Sequence, residues 1–205
     1  MSDFGTTVVG PDPLAPWRSP LGRALHRNRS QPHSRYVQLA TLADGRPSNR
    51  TVVFRGFYDG SNTLMFVTDT RSAKVADLSP GAWGELCWYF TQTREQFRLA
   101  GAITLVTADT VHWGLIQARQ HRWEALSAAS RQSFYWPPPG DLRAEDTAFA
   151  IPAEAVAVST PPPTFGLVLL QPDWVDHLEL RGNPQTRTQY QRQSDGGWQV
   201  MAVNP

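Results

Sequence analysis

The chain has 205 residues, with 19 basic against 18 acidic side chains and a net charge of +1. That length buries one sizeable core, and the near-neutral balance supplies no broad field for nucleic acid or an anionic membrane, so anion recognition must be local. A single cysteine, Cys87 in the apolar run "ELCWYF", excludes an internal disulfide, and no stretch has the apolar length that crosses a bilayer; a cytoplasmic chain with a buried, inert thiol is expected.

Prolines at 11, 13 and 16 predict an extended arm over residues 1–16. In "SPLGRALHRNRSQ", a serine before proline followed by Leu21 and Leu25 predicts a short capped helix. From 35 to about 106 the pattern turns to short strands: "RYVQLATL", "SNRTVVFRGF", "TLMFVTD", "GELCWYF" and "EQFRLAGAITLV", with turns at Asp44-Gly45 and Asp59-Gly60. Residues 110–135 predict a helix that "WPPPG" stops, and 137–163 is rich in proline and alanine. "FGLVLLQPDWVDHLEL" and "WQVMAV" then return as strands. The expected architecture is one domain, mainly β, an antiparallel barrel or sandwich with flanking helices.

"FVTDTRSAKVADL", residues 66–78, holds the chain's only lysine, Lys74. "LMFVTD" predicts a strand, "TRS" a turn and "AKVADL" the start of a helix, whose exposed N–H groups suit a phosphate. Thr68 and Ser72 add hydroxyls and Lys74 a mobile charge. Taken alone, the stretch is better explained by Ser72 capping an ordinary helix beside a surface lysine, because serine and threonine caps are common. In "RPSNRTVVFRGF", alternation puts Arg50, Val52 and Phe54 on one face and Thr51, Val53 and Arg55 on the other, and an arginine on a half-buried strand requires an anion from protein or ligand. In "REQFRLAG", Glu95, Phe97 and Leu99 oppose Gln96, Arg98 and Ala100, which fits either an Arg–Glu cross-strand pair or a ligand site.

"ATLADGRPSNRTVVFRGF", "FVTDTRSAK" and "REQFRLAG", in this order and spacing, resemble the flavin-binding core of pyridoxamine 5'-phosphate oxidase and its relatives, the FMN-binding split-barrel proteins. The resemblance is strong over 35–106, weaker over 164–205 and poor over 107–163. It implies an antiparallel split barrel of Greek-key type spanning 1–205, with 107–163 as a helical, proline-rich insertion. It also implies FMN bound between the subunits of a homodimer. Arg50 matches the arginine that grips the FMN phosphate. Thr51, Val52 and Val53 match the backbone edge along the flavin, and Thr68 and Lys74 match the hydroxyl and the lysine that complete the phosphate grip, with Ser72, Val67 and Ala73 beside them at the cofactor. Gln96 and the late Arg187 match groups near the cofactor. Arg55 replaces a lysine beside flavin and substrate.

Other departures matter for the substrate. Ala73 stands where the family has a second phosphate arginine, with Arg71 nearby as a replacement. Asn183 and Gln185 stand where the oxidase has the arginine and histidine that bind its pyridoxal substrate. The family's tryptophan near the ring falls at His177 or Leu178, depending on one gap. The implied activity is therefore that of a flavin-dependent oxidoreductase on a small molecule other than pyridoxamine phosphate. A non-catalytic flavin carrier or sensor is the alternative, and a barrel binding single-stranded nucleic acid through arginines and aromatics a third. His26, His33, His112, His121 and His177 show no metal-ligand spacing. "WEALSAASRQSFYWPPPG" suits either a lid over the pocket or a helix packing Trp123, Leu126 and Phe134 onto the barrel.

Overall fold

Asp44 and Gly45 both have positive φ, 50° and 72°, the backbone pair that a two-residue hairpin needs. They join β1 (Tyr36–Ala43) to β2 (Arg46–Val53) in unbroken antiparallel register. The computed structural model describes residues 13–78, 81–157 and 159–205. Most of the expected arm, residues 1–12, lies outside these; Ala15 is buried, its N–H donated to Asn62 Oδ1 at 2.9 Å.

The remaining strands are β3 (Leu64–Asp69), β4 (Trp83–Phe90), β5 (Glu95–Val106), β6 (Phe165–Glu179), β7 (Thr186–Arg192) and β8 (Trp198–Val203). They form one eight-stranded sheet in the order β2-β1-β4-β5-β6-β7-β8, with β3 paired to β6. All pairings are antiparallel. The long β6 makes this possible: its first half pairs with β3 and its second half with β7, while β5 runs along its other edge. The β5–β6 register shifts between Ala100 and Gly101, where a Cβ on residue 101 would lie 1.9 Å from Gln171 O. Only glycine lets the two backbones approach there.

Period-two alternation builds the main core. Leu86, Trp88, Phe90, Phe97, Leu99 and Val175 point inward from neighbouring strands. A second core lies on the other side of β3 and β6, where Met65, Phe165, Leu167 and Leu169 meet Trp123, Leu126 and Phe134 from the 107–163 segment. The packing expected of those last three side chains is what the structure shows.

Helices depart from expectation in three places. α1 spans Arg18–Arg27, but its N-cap is Trp17 without a side-chain cap, and Ser19 instead accepts from Arg23 inside the helix. The stretch at 110–135 divides into α2 (Trp113–Glu124) and α3 (Ala128–Gln132), because Ser127 accepts the N–H of Ser130 and restarts the helix. "AKVADL" forms only a 3₁₀ turn, Ala73–Val75; Pro80 and Gly81 follow too closely for a full helix. The proline- and alanine-rich stretch adds a 3₁₀ turn at Asp146–Phe149 and α4 (Ala153–Val156). β7, "TRTQYQR", was not expected as a strand: only its Tyr190 is buried, so little apolar alternation marks it. Among the described residues, no helix is long and apolar enough to cross a membrane.

Candidate functional site

The end of β3 and the turn after it bring the sequence-predicted hydroxyls to the lysine. Lys74 Nζ lies 3.0 Å from Thr68 Oγ1 and 2.9 Å from Ser72 Oγ. Ser72 makes no cap; its hydroxyl donates to Asp69 O at 2.7 Å and accepts from Lys74. Burial, and then the charge of Arg50, push the Lys74 ammonium below its ordinary value, and Asp77, whose N–H donates to Lys74 O, ties Arg50 to the same corner. Because the helix expected here is a single turn, side chains rather than a helix dipole supply the positive character.

Arg50 reaches that corner from β2, the terminal strand of the sheet path. Its Nη1 donates to Thr41 Oγ1 at 2.6 Å, and its Nη2 lies 2.8 Å from Ser48 Oγ and 3.4 Å from Asp77 Oδ2. The anion expected for this arginine is thus Asp77, supplied by the chain three residues after Lys74. Thr41, Ser48 and Asp77 were not foreseen, although Asp77 lies within the stretch that holds Lys74. Thr51, Val52 and Val53 end β2, whose outer edge has no strand neighbour among the described residues. Val67 lies beside Thr68 on β3, and Ala73 is exposed. Arg71 does not fill the gap at Ala73: its Nε and Nη2 bind Asp69 at 2.9 and 2.6 Å, and its Nη2 turns toward Phe134 O.

A second cationic group lies where β2 runs out. Arg55 donates its backbone N–H to Met65 O, and a Cβ on the adjacent Gly56 would sit 3.9 Å from Arg122 Nη2. Burial and the charge of Arg35 lower the Arg55 guanidinium from its ordinary value; burial, Arg55 and Arg35 do the same to Arg122. The Nε atoms of both Arg55 and Arg122 are buried with no hydrogen-bond partner. Arg122 also lines a cavity of about 420 Å³ with Phe57, Tyr58, Met65, Trp113 and His121. A further cavity of about 440 Å³ has Thr68 and Lys74 on one side and Phe134, Trp136, Pro137 and Phe149 on the other. The 107–163 segment therefore both packs onto the barrel and walls the two cavities.

Gln96 and Arg187 stand apart from these groups, on one face of the β5–β7 sheet. Register places Gln96 opposite Leu178, and Leu178 opposite Arg187, in a single row. Leu178 shares their face, whereas His177 points to the buried side, stacked on Phe97 at 4.0 Å with Nε2 2.9 Å from Glu95 Oε2. The fold also brings Glu179 near that pair, its carboxylate within 4.8 Å, a proximity that no spacing of histidines in the sequence reveals. Arg98 pairs with Glu85 on β4 at 2.5 Å, the cross-strand ion pair that was one of its two expected roles. Cys87 is half-buried, not fully so, and burial raises its thiol from the ordinary value.

Two cations linked through Asp77 and backed by hydroxyls form a donor set suited to a phosphate monoester, so these residues fit the phosphate end of FMN. Comparison with known proteins agrees. The family described as "Pyridoxamine 5'-phosphate oxidase, FMN-binding domain" matches residues 14–107. The chain is 38% identical over 196 residues to pyridoxine/pyridoxamine 5'-phosphate oxidase 2 of Arabidopsis thaliana, covering 94% of this chain and 98% of the relative. It is 33% identical to the pyridoxine/pyridoxamine 5'-phosphate oxidase of Anaeromyxobacter dehalogenans, covering 96% and 97%. A solved structure from Nostoc punctiforme, described as a pyridoxamine 5'-phosphate oxidase-related, FMN-binding protein, is 50% identical. It superposes with a TM-score of 0.90 over 94% of this chain and 100% of its own. PhzG from Burkholderia lata, 21% identical over 97% of this chain and 98% of its own, shares the fold with a TM-score of 0.76. The chain belongs to the pyridoxamine 5'-phosphate oxidase-like family of FMN-binding split-barrel proteins.

Proposed function

We propose that this protein is an FMN-dependent oxidoreductase that acts, as a cytoplasmic homodimer and single domain, on a small anionic molecule other than pyridoxamine phosphate. Arg50, Lys74, Thr68 and Ser72 hold the cofactor phosphate, with Val67 and Ala73 beside them. The edge Thr51–Val53 lies along the flavin, and Gln96, Leu178 and Arg187 face it from the other subunit. Bound FMN supplies hydride or electron transfer, and the protein binds, orients and excludes water.

The observation that carries an enzymatic reading is the Arg35–Arg55–Arg122 group. Arg55 and Arg122 are half-buried beside the exposed Arg35, and clustering like charges is costly without a counter-charge; the unpartnered Nε atoms of Arg55 and Arg122 and the cavity that Arg122 lines support a role for an anion separate from the phosphate corner. A carboxylate or phosphate of the substrate supplies that counter-charge. Asn183 and Gln185 favour the second reading, a flavin carrier or sensor, because neither supplies the charge that the oxidase uses there.

Purified protein is expected to be yellow, to bleach with a reductant such as NADPH and to recover colour in oxygen. Colourless protein that rejects added FMN overturns both readings, and flavin that no reductant or substrate bleaches leaves the carrier. Hydrogen peroxide release from pyridoxamine 5'-phosphate is expected to be absent; its appearance overturns the assignment made from Asn183 and Gln185. Arg122→Gln is expected to raise the KM for the anionic substrate, once found, and to leave the affinity for FMN phosphate in place.

A further inference from the structure

We propose that Asp77 is a positioning residue that holds the Arg50 guanidinium beside Lys74 and so sets the protein's discrimination for a phosphorylated flavin. This inference rests on the assignment of the Arg50–Lys74 corner to the FMN phosphate.

The geometry is a closed ring. Arg50 Nη1 donates to Thr41 Oγ1 at 2.6 Å, Thr41 Oγ1 donates to Asp77 Oδ2 at 2.9 Å, and Arg50 Nη2 lies 3.4 Å from the same Oδ2. Because the Thr41 hydroxyl gives its one proton to Asp77, its lone pair faces Arg50, and the carboxylate orients the guanidinium twice, directly and through Thr41. Ser48 Oγ and Leu39 O accept from the remaining terminal N–H groups, which fixes the orientation of the guanidinium, so that Arg50 meets the phosphate through its charge and its Nε–H. The ring is sheltered: Thr41 is buried, and the Arg50 and Asp77 side chains are 21% and 11% exposed.

Asp77 is also tied to the other cation. Its N–H donates to Lys74 O at 3.2 Å across the Ala73–Val75 turn, so one turn of backbone delivers both the ammonium and the carboxylate. Like charges repel, and the charge of Arg50 is, after burial, a cause of the lowered Lys74 ammonium. A carboxylate against Arg50 offsets that repulsion and helps hold the guanidinium near the turn that carries Lys74. Without it, the guanidinium is free to swing toward solvent, and the phosphate meets one charge rather than two.

The test compares FMN with riboflavin, which lacks the phosphate, by quenching of flavin fluorescence on the full-length protein. Asp77→Asn is expected to weaken FMN binding about five- to tenfold, within the range of couplings between contacting residues, and to leave riboflavin affinity unchanged. In an Arg50→Ala background the same change is expected to have no effect. Thr41→Val, which removes the relay without touching charge, is expected to give a smaller loss with the same selectivity and serves if Asp77 variants fold poorly. Equal loss for FMN and riboflavin, which marks a merely structural role, overturns the proposal. So does unchanged or tighter FMN binding, provided Arg50→Ala still selectively weakens FMN. If Arg50→Ala itself treats both flavins alike, the phosphate assignment falls, and this inference with it.

Discussion

Arg187 lies flat against Asp176, its Nε 3.0 Å from Oδ1 and its Nη2 2.6 Å from Oδ2, while Gln189 Nε2 donates to Oδ2 at 3.3 Å. Asp176 is 3% exposed, so its carboxylate depends on this pair. Arg187→Ala leaves a buried charge without its counter-ion and is expected to lower the urea midpoint without changing the slope. Adding Asp176→Asn is expected to recover part of the loss, since the charge is then gone. Additive losses in the double variant would show that the pair is not coupled.

Arg50 and the phosphate it is proposed to hold make a charged hydrogen bond. Arg50→Ala is therefore expected to weaken FMN binding by about 1.5–3 kcal/mol, tenfold or more, as read by equilibrium dialysis or fluorescence titration. Unchanged affinity removes Arg50 from the site.

Lys74 is the only lysine, so an amine-directed label has one side-chain target. Burial and Arg50 destabilise the ammonium, so the neutral, reactive amine forms at a lower pH than in an ordinary lysine. Acylation at pH about 9, below the ordinary value of about 10.4, is expected to proceed faster at Lys74 than in an unfolded control. FMN is expected to protect it, as peptide mass mapping reads. Equal labelling with and without FMN places the phosphate elsewhere.

Glu95 is buried, which by itself raises a carboxyl, yet hydrogen bonds with His177 and Thr93 and the charges of His177 and Arg27 bring it below its ordinary value. A carboxylate with a lowered folded value stabilises the fold fully above the unfolded value of about 4.3, and this is lost as the pH falls through the folded value. Glu95→Gln is expected to lower thermal stability at neutral pH and to flatten the acid side of the stability profile below about pH 4.3. An unaltered acid limb would mean that the carboxylate contributes nothing.

Gly101 faces Gln171 O so closely that a Cβ would collide with the β6 backbone at Gln171 and Pro172. Gly101→Ala is expected to cost about 1–3 kcal/mol or more, as overpacking does, with a lower melting temperature. Gly45→Ala, with open space around it but positive φ, is expected to cost less.

Which segments become strands was legible because alternation and turn chemistry are local: Asp44-Gly45 and the β-branched run after it leave little choice of backbone. Lys74, Thr68 and Ser72 were legible as a group for the same reason, being a few residues apart on one strand and turn. The helix expected after Ser72 failed because apolar spacing there competes with Pro80 and Gly81, and β7 was missed because a mostly polar strand carries no alternation to detect.

Contacts across long sequence separations obey no such local rule. Arg50 meets Thr41 and Asp77 only because β1, β2 and the 73–75 turn converge, and Arg122 comes near Gly56, beside Arg55, only because α2 folds back over the segment after β2. The choice between His177 and Leu178 shows the difference most plainly. Adjacent residues on a strand face opposite ways, and the pairing of Gln96, Leu178 and Arg187 across three strands sets which way each one points. Composition and spacing were enough to specify a cation-bearing β-sheet, because backbone preference and side-chain charge are properties of the residues themselves. Which charges are paired, which remain free for a ligand and which face each side chain takes depend on register and burial, and those exist only once the strands have come together.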